Sequence, residues 1–168
     1  MTPQAPKIEI ILCSATLPLV RRAEALADGA AAAGGTVRLW QLPAGDLPAE
    51  VWEGLDAADV IVFASQAGAN GLSPRMRAFA DTSRSHLSPR DWQGKLAAVL
   101  TDGMNIRDGD ASTEADLWAL ADAHAMTWAA PGAAVTSAQS MRRYGSHLTD
   151  LAATMRDGAM SPSVLTAA

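Results

Sequence analysis

The chain has 168 residues, a net charge of −5 and a pI near 5.0, with 49% apolar and 18% charged residues. That balance suits one packed domain and argues against disorder, and no basic tract interleaved with aromatics supports nucleic-acid binding. No apolar run approaches the ~18 residues of a membrane span, no basic-then-apolar leader opens the sequence, and the single cysteine, Cys13, excludes an internal disulfide or a Cys-rich metal site, so a cytoplasmic, reducing setting is expected.

Residues 7–13 (KIEIILC) form a short aliphatic run, the pattern of a buried strand. A loop at 14–18 follows, then a helix over 19–33, in which Leu19, Ala23, Leu26 and Ala30 recur at helical spacing. Gly34 and Gly35 end it. Residues 36–42 alternate as a second strand. After a linker at 43–48, residues 49–57 make a short helix carrying Val51, Trp52 and Leu55. DVIVFAS at 59–65 is the clearest central strand, followed by a Gly- and Asn-rich loop at 66–72. Ser73 caps a helix opened by Pro74 and reaching about Ser85. KLAAVLT at 95–101 is a fourth strand, 102–112 a long polar loop, and 113–125 a helix. Residues 126–130 are a weak fifth strand, and 138–155 a last helix. Residues 1–157 are thus expected as one domain, with 158–168 a loose tail.

Strands alternating with helices imply a parallel α/β sheet with right-handed crossovers covering both faces. In such a sheet a ligand binds beyond the carboxyl ends of the strands, where strand order reverses. Three polar loops leave those ends: 14–18, 66–72 and 102–112. The first runs into a helix N-terminus, whose free N–H groups and dipole favour an anion. Ser14 and Thr16 add hydroxyls, whereas Pro18 removes one N–H donor and the loop has no glycine. Polar loops are general at this edge, and Ser or Thr before a helix also serves as a simple cap.

These residues resemble a known family. Ala58-Asp-Val-Ile-Val-Phe63, then Leu72-Ser-Pro-Arg-Met-Arg-Ala-Phe79 with Asp81, is similar to the D-x-I-I-F-G strand and M-S-x-x-M-R-x-F-x-D helix of WrbA-type NAD(P)H:quinone oxidoreductases and their FMN reductase relatives. Trp92-Gln-Gly-Lys95-Leu-Ala resembles that family's Y-G-K-L-A, and Arg143-Tyr144-Gly145 its A-R-Y-x-G. The resemblance covers about residues 8–155. It implies a flavodoxin-like three-layer sandwich around a five-stranded parallel sheet of order 2-1-3-4-5.

It further implies FMN at the three loops. Ser14, Thr16, Leu17, Pro18 and Leu19 would lie at the phosphate. Ser65, Gln66, Ala67, Gly68 and Asn70 would run along the isoalloxazine, and Thr101, Asp102 and Gly103 would meet its other edge. NAD(P)H would be co-substrate and a quinone or similar small molecule the electron acceptor. No side chain need act as acid or base, because the flavin carries the chemistry. Homodimers or homotetramers are the family habit.

The chain departs from the family pattern in all three loops. The glycine of S-x-T-G is Leu17 here, and Pro18 follows. T-P-T-R-F-G-N becomes Ser65-Gln-Ala-Gly-Ala-Asn-Gly71, and T-G-x-x-G-G becomes Thr101-Asp-Gly-Met-Asn-Ile-Arg107, which introduces the carboxylate of Asp102. A lost hydrogen bond to a charged group costs about 1.5–3 kcal/mol, so two or three losses weaken binding by roughly a hundredfold or more. Arg21, Arg75 and Arg107 are candidates to compensate. A second function therefore stands beside the first: a flavodoxin-fold protein that has lost flavin and serves a non-catalytic binding or assembly role.

Cys13 is read as a small buried residue, with a reactive thiol as the alternative. Trp40, Trp52, Trp118 and Trp128 are expected in the core or at oligomer contacts, and Trp92 either borders the site or packs under a strand. His124 ends a helix, where a cation suits the dipole, and is read as structural. The three histidines are too scattered for a metal site.

Overall fold

The computed structural model describes residues 4–14, 16–67, 71–86, 88, 90–102, 108–129 and 137–158, the first turn of 108–111 by its backbone alone. Gly68, Asn70, Gly103 and Arg107 lie outside the described residues, as do positions 159–168 of the expected tail.

Three aliphatic runs set the architecture. β1 (Lys7–Leu12), β3 (Val60–Ser65) and β4 (Leu96–Thr101) have almost no exposed side chain. Strands apolar on both faces can be buried only if helices cover both. β2 (Thr36–Gln41), which is mostly exposed, takes one edge, and the two-residue β5 (Thr127–Trp128) takes the other. The sheet order is β2-β1-β3-β4-β5, and every pairing is parallel. This is the flavodoxin-like arrangement expected from the sequence.

Alternation along the strands divides the core into two layers. Ile8, Ile10 and Leu12, with Val60, Val62 and Ala64 and with Leu96, Ala98 and Leu100, face α1 (Leu17–Ala32) and α5 (Ala138–Arg156). Ile11, Ile61, Phe63, Ala97 and Val99 face α2 (Ala49–Ala57), α3 (Pro74–His86) and α4 (Asp108–Ala123). Trp92 is fully buried in this second layer and donates from Nε1 to Asp56 Oδ1 at 3.0 Å. It therefore packs under the sheet and does not border the loops at the carboxyl rim. Trp52 is also core, whereas Trp118 is 50% exposed.

Two helices begin earlier than the residue pattern suggests. α1 starts at Leu17, so Leu17 and Pro18 form its first turn and Thr16 is the N-cap. Proline is preorganised for that turn, where its missing N–H has no helical partner to lose. α4 starts at Asp108, inside the segment expected as loop.

α1 and α5 meet backbone to backbone. A Cβ on Gly29 would stand 1.9 Å from the Arg142 carbonyl oxygen, and one on Gly145 would stand 2.0 Å from that of Leu26. Glycine is required here by the close approach of two helices, and neither carbonyl can be moved aside like a side chain. Thr149 fills the next turn, donating from Oγ1 to the carbonyls of Gly145 (3.0 Å) and Ala30 (3.3 Å).

A charge sits inside the sheet as well. Glu9 on β1 is 2% exposed, yet it faces the apolar layer under α2. Its carboxylate accepts from Arg38 Nε at 2.9 Å and Trp40 Nε1 at 2.5 Å, both on the edge strand β2. A buried charge is tolerable when paired in this way. The period-2 pattern of the strand gave no sign of it.

His124 does not play the part of a cation at a helix end. It is 3% exposed, its Nε2 lies 3.0 Å from Ser83 Oγ, and its ring packs against Trp92. Burial, helped by Arg84 and opposed by Asp91, pulls its pKa below the ordinary 6.5. The fold thus favours neutral imidazole.

Two outcomes follow from these contacts. Gly145→Ala should destabilise the fold by about 3 kcal/mol, the upper end for overpacking, read as a fall in the urea midpoint. Because the folded state holds His124 below its unfolded pKa, stability is complete above about pH 6.5 and declines as pH falls from there. His124→Gln should flatten that part of the stability–pH curve in denaturant titrations at stepped pH.

Candidate functional site at the carboxyl rim

All five strands run the same way, so one rim collects the loops after Leu12, Gln41, Ser65, Thr101 and Trp128. Chain order reverses between β1 and β3, which places the switch-point crevice between the segments after Leu12 and Ser65. The register that pairs Ser65 with Thr101 brings the start of the third loop alongside the second.

Asp102 ties the three loops together. Its Oδ1 accepts from the Ala67 N–H at 2.9 Å, and its Oδ2 accepts from Thr16 Oγ1 at 3.3 Å. One carboxylate from the β4 loop thereby joins the N-cap of α1 to the loop after β3. Thr16 makes no side-chain cap to its own helix, because its hydroxyl is turned to Asp102. Arg22, one turn into α1, donates from Nη1 to the Thr101 carbonyl at 2.5 Å and anchors α1 over the end of β4.

The remaining expected residues take different places. Leu19 is fully buried, so only its backbone faces the loop, whereas Leu17 is 60% exposed and does not fill the crevice. Pro18 and Gln66 are exposed, and Ser14 is half-buried. Ser65 is fully buried, and its hydroxyl is held within the protein, donating to the Gln66 carbonyl at 3.2 Å and lying 3.4 Å from Cys13 Sγ. Cys13 is 2% exposed, and Ser73 Oγ donates to its sulfur at 3.2 Å. The small buried role fits it. Of the cations proposed as compensators, Arg21 is exposed on α1, and Arg75 lies 3.4 Å from the Leu42 carbonyl as donor. Sequence reasoning placed Thr16, Ala67 and Asp102 at this rim but not the bonds that join them, and it missed Arg22. The helical offset of Arg22 from the α1 N-terminus was the available signal.

A second aspartate fixes the far end of the β3 loop. Asp116 on α4 accepts from the Leu72 N–H at 3.2 Å, and Thr113 Oγ1 donates to the Gly71 carbonyl at 3.1 Å. Gly71 has φ +88°, and a Cβ there would meet Asp116 Oδ2 at 2.2 Å. Both the backbone conformation and the close carboxylate require glycine.

The phosphate half of FMN does not fit this rim well. Leu17 stands where the family places glycine, and Pro18 has no N–H. The Thr16 hydroxyl and the Ala67 N–H, two donors in reach of the crevice, are spent on Asp102.

Other cavities lie elsewhere. One of about 290 Å³ at the opposite rim holds structural pairs: Arg156 with Asp59 at 2.6 Å, and Lys95 Nζ donating to the Asp56 and Ala58 carbonyls at 2.6 Å. Burial lowers the Lys95 pKa there, with Asp59 and Asp56 opposing. Among the described residues no group of His, Cys, Asp and Glu is arranged for a metal ion, and no helix is long and apolar enough to cross a membrane.

No protein-family model matches the sequence, and no curated protein matches it significantly. Solved structures do. A WrbA-like flavodoxin from Agrobacterium tumefaciens superposes with a TM-score of 0.72 at 25% identity, over 89% of this chain and 98% of that one. A flavodoxin from the domain Archaea gives 0.63 at 18% identity over 87% and 98%. A flavone reductase gives 0.68 at 15% identity over 89% of this chain and 64% of its own.

Gly71→Ala should detach the β3 loop from α4 and cost about 1–3 kcal/mol. Hydrogen exchange at Leu72 should rise along with a lowered thermal midpoint.

Proposed function

We propose, taking as premise a flavodoxin-like chain related to a WrbA-like flavodoxin, that this protein is a flavin-dependent NAD(P)H oxidoreductase delivering electrons to quinones or similar small acceptors. The fold neighbours support a flavin-related oxidoreductase kind. FMN is the flavin they suggest at family level. The observation that carries the reading is the convergence of Thr16, Ala67 and Asp102 from three loops at the β1/β3 switch point.

The redox chemistry in this reading belongs to the flavin. The chain contributes position: Arg22 holds the α1 start against β4, Asp102 fixes the mutual spacing of the loops, and Asp116 with Thr113 secures the β3 loop from outside. The reading includes assembly as a homodimer or homotetramer, for which half-exposed Trp118 on α4 is the supporting feature. Nucleic acid and membrane have no part in it.

A second reading is favoured by one observation, the use of Thr16 and Ala67 by Asp102. It makes the chain a flavin-free member of the fold that serves in binding or assembly. One experiment separates the two. Under the first, protein refolded with excess flavin keeps a visible flavin band through gel filtration, and NAD(P)H bleaches that band anaerobically. A colourless protein that does not oxidise NAD(P)H under any flavin loading would leave only the second.

A further inference from the structure

We propose that Asp102 sets the ligand preference of the carboxyl rim, so that an isoalloxazine without a 5′-phosphate is held in preference to the phosphorylated flavin. This rests on the flavin reading above and names which flavin class the site takes.

A phosphate monoester carries roughly −1.5 to −2 charge at neutral pH, and the start of α1 is the place at this rim where backbone geometry would receive it. The structure puts another anion there first. The Asp102 carboxylate lies 3.3 Å from the N-cap hydroxyl of that helix and 2.9 Å from the Ala67 N–H. A phosphate drawing on the same donors would have to displace the carboxylate or sit beside it, and both are unfavourable for like charges. Arg22, the cation seen at this strand end, is turned to the Thr101 carbonyl. The first turn of α1 adds no compensation, because Pro18 lacks an N–H and the turn carries no basic residue before Arg21. A neutral ring escapes the like-charge cost. The polar edge of a pyrimidine-like ring can share Asp102 as an acceptor and can use the exposed Gln66 amide.

The test is a pair of titrations of the full chain, with riboflavin and with FMN, read by quenching of flavin fluorescence at low salt. Wild type should bind riboflavin at least as tightly as FMN, and added salt should narrow the gap by screening. Asp102→Asn removes the charge, keeps an acceptor oxygen for the Ala67 N–H and turns an amide donor to the Thr16 hydroxyl, which can accept. It should improve FMN binding relative to riboflavin by about tenfold, the scale of one charge-assisted hydrogen bond, with circular dichroism confirming the fold. Tighter binding of FMN than of riboflavin by wild type overturns the inference while leaving the flavin reading intact. An unchanged FMN-to-riboflavin ratio in folded Asp102→Asn overturns the role of Asp102. Binding of neither flavin by wild type overturns this inference and the flavin reading together.

Discussion

Parallel pairing of β1, β3 and β4 is the constraint on which the rest of this molecule depends. These strands are buried on both faces, so their backbone groups are satisfied by neighbouring strands and their side chains by helices on either side. Parallel strands need a crossover each time, and each crossover returns the chain to the same starting edge. Every strand must then release its chain at one rim. The proximity of Thr16, Ala67 and Asp102, drawn from positions up to 86 residues apart, is a product of that rule.

The rim uses this proximity to bond its own loops together. A helix N-terminus attracts negative charge whatever its source. Here a side chain of the protein supplies it. The three loops are cross-braced by Asp102 on the inside and Asp116 on the outside, and Arg22 couples α1 to the same strand end. Rigidity of this kind holds a site in shape at the cost of donors that a ligand would otherwise use.

Much of the architecture was legible in the residues because burial on two faces leaves an unmistakable trace: VIVFAS and LAAVLT are apolar up to their last residue. Element starts were less legible. Pro18 reads as loop when taken by itself, yet in a first helical turn it is favoured. Asp102 drew attention by its place after a strand, but its two donors come from other loops, and a linear pattern holds no information about them. Glu9 was invisible for the same reason: only the pairing of β1 with β2 brings Arg38 and Trp40 to it. His124 is structural, as its place at a helix end suggested, but through burial beside Trp92 and not through charge, since a ring sealed from water does better uncharged.

The glycine contact between α1 and α5 has a bearing on synthesis. Gly29 emerges from the ribosome more than a hundred residues ahead of Arg142 and Gly145, the backbone it must meet. Until α5 is made, the layer containing Ile8, Val62, Leu96 and Leu26 has only one of its two covering helices. A nascent chain therefore carries an open greasy flank for most of its translation, at the usual pace of some 5–20 residues per second. Native closure becomes available only when the late helix arrives, so this is the stage at which a chaperone that shields apolar surface has most to do.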